Sequence, residues 1–188
     1  MSGESLIGYL SAIIKLSPVF IEELKRGLDE EHYKPHQIIH ASGQTENRLW
    51  YIETGFARSY YFDQTGKEHT LSFYLENEII FSYKGFWKEP TDYYLEVLTP
   101  TILISLSYEA LYKLEQHEET KTLIHIFTRQ RYYQELFKSR LMTWSAEERY
   151  YQFRKASPEI FKLASIRLIA SYLNMTRENL SRLIGRET

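Results

Sequence analysis

The end of the chain, from Ser165 to Thr188, carries the pattern that most restricts the fold. Ser165 is a good N-cap residue, and apolar residues behind it recur at three- and four-residue steps, which is one face of a short helix. Asn174 interrupts this pattern, and Thr176 is a second N-cap residue that precedes another short amphipathic run. Two short helices joined by a tight turn predict a helix-turn-helix, whose second helix enters the major groove of DNA.

The second of these helices carries a broad polar face. Arg177 and Arg182 share that face, and a guanidinium can bond the O6 and N7 of guanine together. Glu178 can accept a hydrogen bond from cytosine N4, or it can pair with Arg182 four residues on. We predict a DNA-binding surface that consists of Thr176, Arg177, Glu178, Asn179, Ser181 and Arg182. The alternatives are a solvated polar face and, for Thr176, capping alone.

Composition excludes several classes of protein. The chain has no Cys, which excludes disulfides, thiolate zinc sites, cysteine-ligated iron–sulfur clusters and thiol redox sensing. No apolar run approaches the roughly 20 residues of a membrane helix, and the N-terminus lacks the basic region of a signal peptide. We therefore expect a cytoplasmic protein that does not enter the membrane. The net charge is −2, but residues 145–188 carry eight Lys or Arg against five Asp or Glu, which suits a DNA-binding end.

The middle of the chain has the pattern of an antiparallel β-barrel or jelly roll. Helical stripes cover residues 4–28, with Ser17-Pro18 as a helix start. From Tyr33 to Ser107, short runs rich in aromatic and β-branched residues are separated by turn signals. The predicted strands are residues 50–52, 56–62, 69–74, 93–98 and 102–106. Asp63–Lys67 is predicted as a hairpin tip, with Gly66 supplying a positive φ.

A long helix is predicted from Glu118 to about Trp144, and another helix over residues 145–156. The long helix carries a mostly apolar stripe that advances in steps of three and four residues, close to the spacing of a coiled-coil interface. Since so long a helix overhangs a small barrel, we predict a homodimer whose interface consists of Ile126, Gln130, Tyr133, Phe137, Leu141 and Trp144. The alternative is that the stripe belongs to the core of a monomer.

Barrel, long helix and helix-turn-helix in this order resemble the Crp/Fnr regulators, the family of the cyclic-AMP receptor protein. The resemblance is strongest over residues 169–182, including the Arg-Glu-x-x-x-Arg of the recognition helix, and weaker over residues 50–58 and 66–68. It implies an α+β fold with a cyclic-nucleotide-binding-like barrel over residues 1–116, a dimerisation helix over 117–144 and a DNA-binding helix-turn-helix over 145–188. It further implies double-stranded DNA and RNA polymerase as partners and no enzymatic activity. The β-hairpin wing that usually follows the recognition helix is missing.

The sequence departs from the family at the nucleotide pocket. Members that bind cyclic AMP hold its ribose-phosphate with a Gly-Glu pair and an Arg-Ser pair, which would fall near Phe81-Ser82 and near Thr91-Asp92-Tyr93. Without these groups a buried phosphodiester is hard to stabilise, so we predict that the barrel does not bind cyclic AMP in the family's manner. An unknown small effector remains an expectation, with a pocket made of Phe73, Phe81, Ser82, Tyr83, Asp92 and Tyr93. Filled aromatic core is the alternative.

Two other functions stay open at this point. The first is a ligand-binding sensor or interaction module whose helix-turn-helix no longer binds DNA. The second is a cupin-like metalloenzyme, suggested by His32, His36 and His40, but the His-x-His spacing of such sites is absent and Pro35 breaks any helix that would align these side chains. We expect no cofactor and no metal.

Overall fold

The computed structural model describes residues 3–186 and begins with two helices, α1 (Glu4–Ile13) and α2 (Pro18–Arg26). The predicted start of α2 is confirmed, because the Ser17 hydroxyl accepts a hydrogen bond from the Phe20 N–H at 3.3 Å. The predicted helical stretch, residues 4–28, runs two residues too far at its end. Helix α2 stops at Arg26, Gly27 follows as its C-cap, and Leu28 already belongs to a strand.

Antiparallel pairing of short strands confirms the predicted β architecture. The strands are β1 (Leu28–Tyr33), β2 (Ile38–His40), β3 (Arg48–Thr54), β4 (Ala57–Phe62), β5 (Glu68–Tyr74), β6 (Ile79–Ile80), β7 (Tyr94–Val97) and β8 (Thr101–Ser107). They form two four-stranded sheets, in the orders β1-β8-β3-β6 and β2-β7-β4-β5. The five predicted strands correspond to β3, β4, β5, β7 and β8.

Strands β1, β2 and β6 were not predicted. Strand β1 reads Leu-Asp-Glu-Glu-His-Tyr, which resembles an acidic loop, yet it pairs with β8 along its whole length at the edge of the first sheet. Only Leu28 of this strand is buried. Charged residues are common on edge strands because they discourage pairing with another chain.

Helices make up the rest of the described chain. They are α3 (Tyr83–Phe86), α4 (Tyr108–Leu114), α5 (Glu118–Thr143), α6 (Ala146–Ala156), α7 (Ile160–Leu163), α8 (Ile166–Tyr172) and α9 (Arg177–Gly185). The predicted long helix is confirmed as α5 and the helix after it as α6, while the short α7 was not predicted. No helix within residues 3–186 has the length and apolar character needed to cross a bilayer.

The described chain forms two compact units. Unit 1 contains the residues up to Arg58 together with Tyr74–Thr128, and unit 2 contains Ser59–Phe73 together with the residues from Arg129 onward. Unit 1 has a barrel core around Ile52, Leu95 and Leu103, each fully buried. The division differs from the three predicted segments, because most of the β4–β5 hairpin packs with the C-terminal helices.

The tip of the β4–β5 hairpin has the predicted turn. The Asp63 carboxylate accepts hydrogen bonds from the N–H groups of Thr65 at 2.8 Å and Lys67 at 3.1 Å. Gly66 adopts φ +79°, a conformation that costs glycine little. This turn sets the pairing register of β4 and β5, and most of this hairpin belongs to unit 2.

Candidate nucleic-acid interface and barrel interior

Helices α8 and α9 begin where the sequence predicts. The Ser165 hydroxyl accepts from the Leu168 N–H at 3.4 Å, and the Thr176 hydroxyl accepts from the Asn179 N–H at 3.1 Å. Both N-caps are therefore confirmed. Each satisfies one of the amide donors that a helix leaves unpaired at its start.

The turn between the two helices depends on Asn174. This residue takes φ +50°, in the left-handed region where Asn is tolerated better than most residues. The Met175 N–H bonds the Ala170 carbonyl at 3.0 Å, and the Asn174 N–H bonds the Ser171 carbonyl at 3.3 Å. These bonds close α8 in the manner of a Schellman motif, so α9 can begin directly afterwards.

Helix α9 buries one face and exposes the other. Leu180 and Leu183 are buried at 0% and 3% exposure, and α9 packs against α8. The polar residues lie on the opposite face. Thr176, Arg177, Glu178, Ser181 and Arg182 are exposed, and Asn179 is half-buried. The structure therefore brings all six predicted residues together on one short helix and its cap.

The charges on this face are only partly paired. The Arg182 guanidinium donates to the Asn179 side-chain oxygen at 3.0 Å rather than to Glu178, which was the alternative partner. Within residues 3–186, neither Arg177 nor Glu178 makes a hydrogen bond or an ion pair through its side chain. Unpaired, exposed groups remain available to a ligand at little desolvation cost.

Helix α8 is held against the β4–β5 hairpin inside unit 2. The Ser171 hydroxyl accepts from the Thr70 N–H at 2.9 Å and donates to the Glu68 carbonyl at 3.0 Å. The guanidinium of Arg167 forms an ion pair with the Glu68 carboxylate at 3.0 Å. Sequence patterns gave no sign of this contact, since hydroxyls and surface charges lie on most helices.

Lys138 of α5 points into the same region. Its ammonium donates to the carbonyls of Thr70 at 2.6 Å and Leu71 at 2.8 Å, and it lies 4.1 Å from the centre of the Tyr172 ring. Burial, and to a smaller extent the charge of Arg131, lower the pKa of Lys138 to about 7. Lys138 thus joins α5, the hairpin and α8 through polar contacts that the apolar stripe of α5 did not predict.

The six residues of the predicted dimer interface on α5, called here the seam, differ in solvent exposure. Tyr133 is 55% exposed and Gln130 is also exposed, while Ile126, Phe137 and Trp144 are half-buried. Leu141 is 0% exposed and belongs to the core of its own chain, so it has no surface to offer a partner. The other five residues keep surface that a second copy could cover.

The predicted effector residues are divided between the two units. In unit 1, the Phe81 and Tyr83 rings lie 5.2 Å apart, and the Ser82 N–H donates to the Tyr108 hydroxyl at 2.9 Å. Asp92 is exposed and pairs with Lys84 at 3.0 Å. Phe73 belongs to unit 2, where its ring lies 5.5 Å from that of Tyr172.

A buried carboxyl group that the sequence did not reveal lies in the barrel. Glu46 is 1% exposed, and its oxygens lie 3.1 Å from the Tyr93 hydroxyl and 3.4 Å from the Tyr108 hydroxyl. Burial raises the pKa of Glu46 to about 8. The segment around it, Gln-Thr-Glu-Asn, has the composition of a solvated loop, which is why it gave no signal.

Glu46 lines a cavity of about 360 Å³ in unit 1. The cavity is also lined by Glu31, Tyr33, Ile39, His40, Gln44, Thr45, Asn47, Arg48 and Trp50. Of the described residues, no group of three or more His, Asp or Glu side chains is placed to hold a metal ion.

Comparison with known proteins identifies the barrel. Residues 30–118 match the model of the cyclic nucleotide-binding domain family. No curated protein matches the chain. FixK2 from Bradyrhizobium japonicum has a TM-score of 0.74 at 19% identity, over 85% of this chain and 83% of that chain.

Two further solved structures cover most of this chain. A protein from Eubacterium rectale, described as a transcriptional regulator of the Crp/Fnr family, gives a TM-score of 0.72 at 17% identity, over 95% of this chain and 87% of that one. The c-di-GMP-responsive global regulator CLP from Xanthomonas campestris gives 0.69 at 16% identity, over 91% of both chains. At these identities the likeness shows a shared fold.

Proposed function

We propose that this chain, which carries a cyclic nucleotide-binding domain within the fold of the Crp/Fnr regulators, is a sequence-specific DNA-binding transcription regulator. The observation that carries the proposal is the polar face of α9. Six polar residues lie on one short helix and its N-cap, and a buried apolar face fixes this helix against α8. No residue is assigned a catalytic role, and the protein acts in the cytoplasm, where it meets DNA.

Each residue of this face has a role in the proposal. Arg177 and Arg182 contact guanine edges, and the Asn179 amide orients Arg182 before DNA arrives. Glu178 accepts from cytosine. Thr176 and the first amides of α9 contact phosphate, which is compatible with the observed capping because a hydroxyl can accept and donate at once.

The proposal includes a homodimer built along α5. The support is the exposed aromatic surface around Tyr133, whose ring lies 5.8 Å from the Arg129 guanidinium carbon and 5.6 Å from the Tyr132 ring. Large exposed aromatic side chains are enriched at protein interfaces. Two copies would present two recognition helices about one turn of DNA apart.

The barrel of this regulator does not respond to cyclic AMP in the proposal. Ser82 and Thr91, at the positions expected to contact the ribose-phosphate, are 3% exposed, and Thr91 bonds the His40 ring at 2.6 Å. The nearby Lys84 is engaged with Asp92. A cyclic phosphate placed there would find no spare positive charge among these residues.

Selection of duplex DNA from a random library by the purified protein, without an effector, tests the function. We expect enrichment of a two-fold symmetric motif and binding that weakens steeply with salt, because phosphate contacts release counterions. Added cyclic AMP should leave the selected motif and the affinity unchanged. Absence of enrichment with and without cyclic AMP would favour the alternative, a sensor or interaction module that does not bind DNA.

Replacing Tyr133 by Asp should shift the protein from dimer to monomer. A charge in the centre of an apolar interface is costly to desolvate, so the dimer dissociation constant should rise at least about tenfold. Sedimentation velocity at several concentrations measures the change. Tyr151→Asp is the matched control, because Tyr151 on α6 is 40% exposed and lies outside the seam. A Tyr133→Asp variant that stays dimeric would place the interface elsewhere.

A further inference from the structure

We propose that Arg167 on α8 is a further DNA-binding residue, which contacts a backbone phosphate, and that the Glu68 carboxylate competes with DNA for it. Both residues belong to unit 2. The inference rests on the proposed function, because it requires α8 and α9 to dock on DNA as a helix-turn-helix. It extends the contact surface beyond α9 and gives the β4–β5 hairpin a regulatory role.

Arg167 lies where a helix-turn-helix meets the DNA backbone. The second helix of this motif enters the major groove, while the first helix crosses the backbone. Arg167 is the one charged residue of α8, lies in its first turn and has a side chain that is 64% exposed. The helix dipole disfavours a cation in the first turn, so the stability of α8 gives no reason for an arginine here. A phosphate ligand does give one.

The pairing of Arg167 leaves donors for a phosphate. Its Nη1 donates to Oε1 of Glu68 at 3.0 Å, through a single hydrogen bond. In the described part of the chain, Nε and Nη2 of Arg167 donate to no other protein group. A guanidinium binds a phosphate most strongly through two parallel N–H groups. A backbone phosphate can therefore make a contact with Arg167 that Glu68 does not make.

Glu68 is held beside Arg167 by the backbone of its own strand. Ser171 follows Arg167 by four residues and lies on the same face of α8. Its hydroxyl donates to the Glu68 carbonyl at 3.0 Å and accepts from the Thr70 N–H at 2.9 Å. These two hydrogen bonds fix the start of β5 against α8. The Glu68 carboxylate, which is 20% exposed, consequently stays next to the Arg167 guanidinium.

A carboxylate in this position opposes DNA binding in two ways. It offsets part of the charge of Arg167, and it repels a phosphate that approaches the guanidinium. Phosphate contacts carry no sequence information, so Glu68 lowers the affinity for all duplexes alike and leaves the choice of sequence to α9. Removing the charge of Glu68 should strengthen binding without changing the selected site.

The test measures binding of the full chain to labelled duplexes by fluorescence anisotropy at several salt concentrations, with one duplex carrying the selected site and the other a scrambled site. Glu68→Gln should bind both duplexes about three- to tenfold more tightly than the wild type. Its affinity should also fall more steeply with salt, because one more phosphate is neutralised. Glu159→Gln is the matched control. Glu159 pairs with Lys162 at 2.8 Å, also in unit 2, and its substitution should change binding less than about twofold.

Arg167→Gln separates a local effect from a change in net charge. In this background Glu68→Gln should change the affinity less than about twofold, because the cation for which DNA and Glu68 compete is gone. Arg167→Gln alone should weaken binding of both duplexes about two- to threefold. Since its side chain is exposed, this variant tests the phosphate contact even if Glu68→Gln is poorly folded.

The proposal is overturned if a folded Glu68→Gln binds like the wild type, if its gain persists without Arg167, or if the gain is confined to the selected site. It is also overturned if Arg167→Gln leaves both affinities unchanged. Wild-type protein that binds neither duplex would overturn the proposed function, and this inference with it.

Discussion

The Arg177→Ala/Arg182→Ala variant is expected to bind the selected DNA site about 30- to 25,000-fold more weakly than the wild type. Each arginine that contacts a guanine contributes about 1–3 kcal/mol, so the pair contributes roughly 2–6 kcal/mol if the two act independently. Fluorescence anisotropy at fixed salt measures the loss on labelled duplex. Both side chains are exposed on α9, so the helix itself should keep its stability.

The controls separate recognition from charge. Arg26→Ala removes a positive charge from α2, where the side chain is 76% exposed and pairs weakly with Glu22 at 3.8 Å, and it should change the affinity less than threefold. On DNA with a scrambled site, the double variant should lose less affinity than on the selected site, because non-specific binding depends mainly on phosphate contacts. Equal affinity of the double variant and the wild type for the selected site would assign DNA recognition to another surface.

The Lys138→Met variant is expected to change the pH dependence of stability. The pKa of Lys138 is about 7 in the folded protein and about 10.5 in the unfolded chain, so the unfolded chain binds more protons between these values. Wild-type stability should therefore gain up to about 4 kcal/mol from Lys138 as the pH rises from 7 towards 10. Methionine cannot titrate, so its variant lacks this gain.

Urea unfolding at pH 6, 7, 8, 9 and 10 measures the difference between the two proteins. At pH 6 the wild type keeps a buried ammonium ion, so Lys138→Met should be close to it in stability. At pH 10 the variant should be clearly less stable, because the carbonyls of Thr70 and Leu71 lose their donor. Lys155→Met, at an exposed position on α6, should run parallel to the wild type. A parallel profile for Lys138→Met would mean that the ammonium is well hydrated.

The alkaline measurements are practical for this chain. It has no Cys, so thiol oxidation and exchange do not complicate unfolding at high pH. Burial raises the pKa of Tyr172, the aromatic neighbour of Lys138, to about 12, which lies above the range measured.

Much of the fold follows from local signals in the sequence. The N-caps Ser17, Ser165 and Thr176 lie where the helical periodicity begins, and each one forms the expected hydrogen bond. The five predicted strands contain aromatic and β-branched residues between turn signals. Their predicted boundaries are therefore close to those of the observed strands. Capping hydrogen bonds and local residue preferences involve only a few neighbouring residues. A single sequence shows such local interactions directly.

The remaining features depend on contacts far apart in the chain. Strand β1 is acidic and becomes a strand because β8 supplies its partners. Glu46 is buried by Tyr93 and Tyr108, and Lys138 by the hairpin and Tyr172. For Glu46 and Lys138 the residue type argues for solvent exposure, and tertiary contacts override that preference. For β1 the tertiary contacts override a poor preference for strand structure, while most of its side chains keep exposed surface. The face of α9 was predictable because its amphipathic pattern lies within two helical turns.

The hairpin has a consequence for dividing the protein into fragments. Residues 59–73 interrupt unit 1 in the sequence yet fold with the C-terminal helices, where Ser171 bonds both Glu68 and Thr70. A single cut near residue 128 would leave the C-terminal fragment with Phe153 and Tyr172 but without Phe73, which covers part of Tyr172. That fragment would expose apolar surface and tend to aggregate. Protease cleavage between barrel and helices should accordingly give two pieces that stay associated rather than two independent domains.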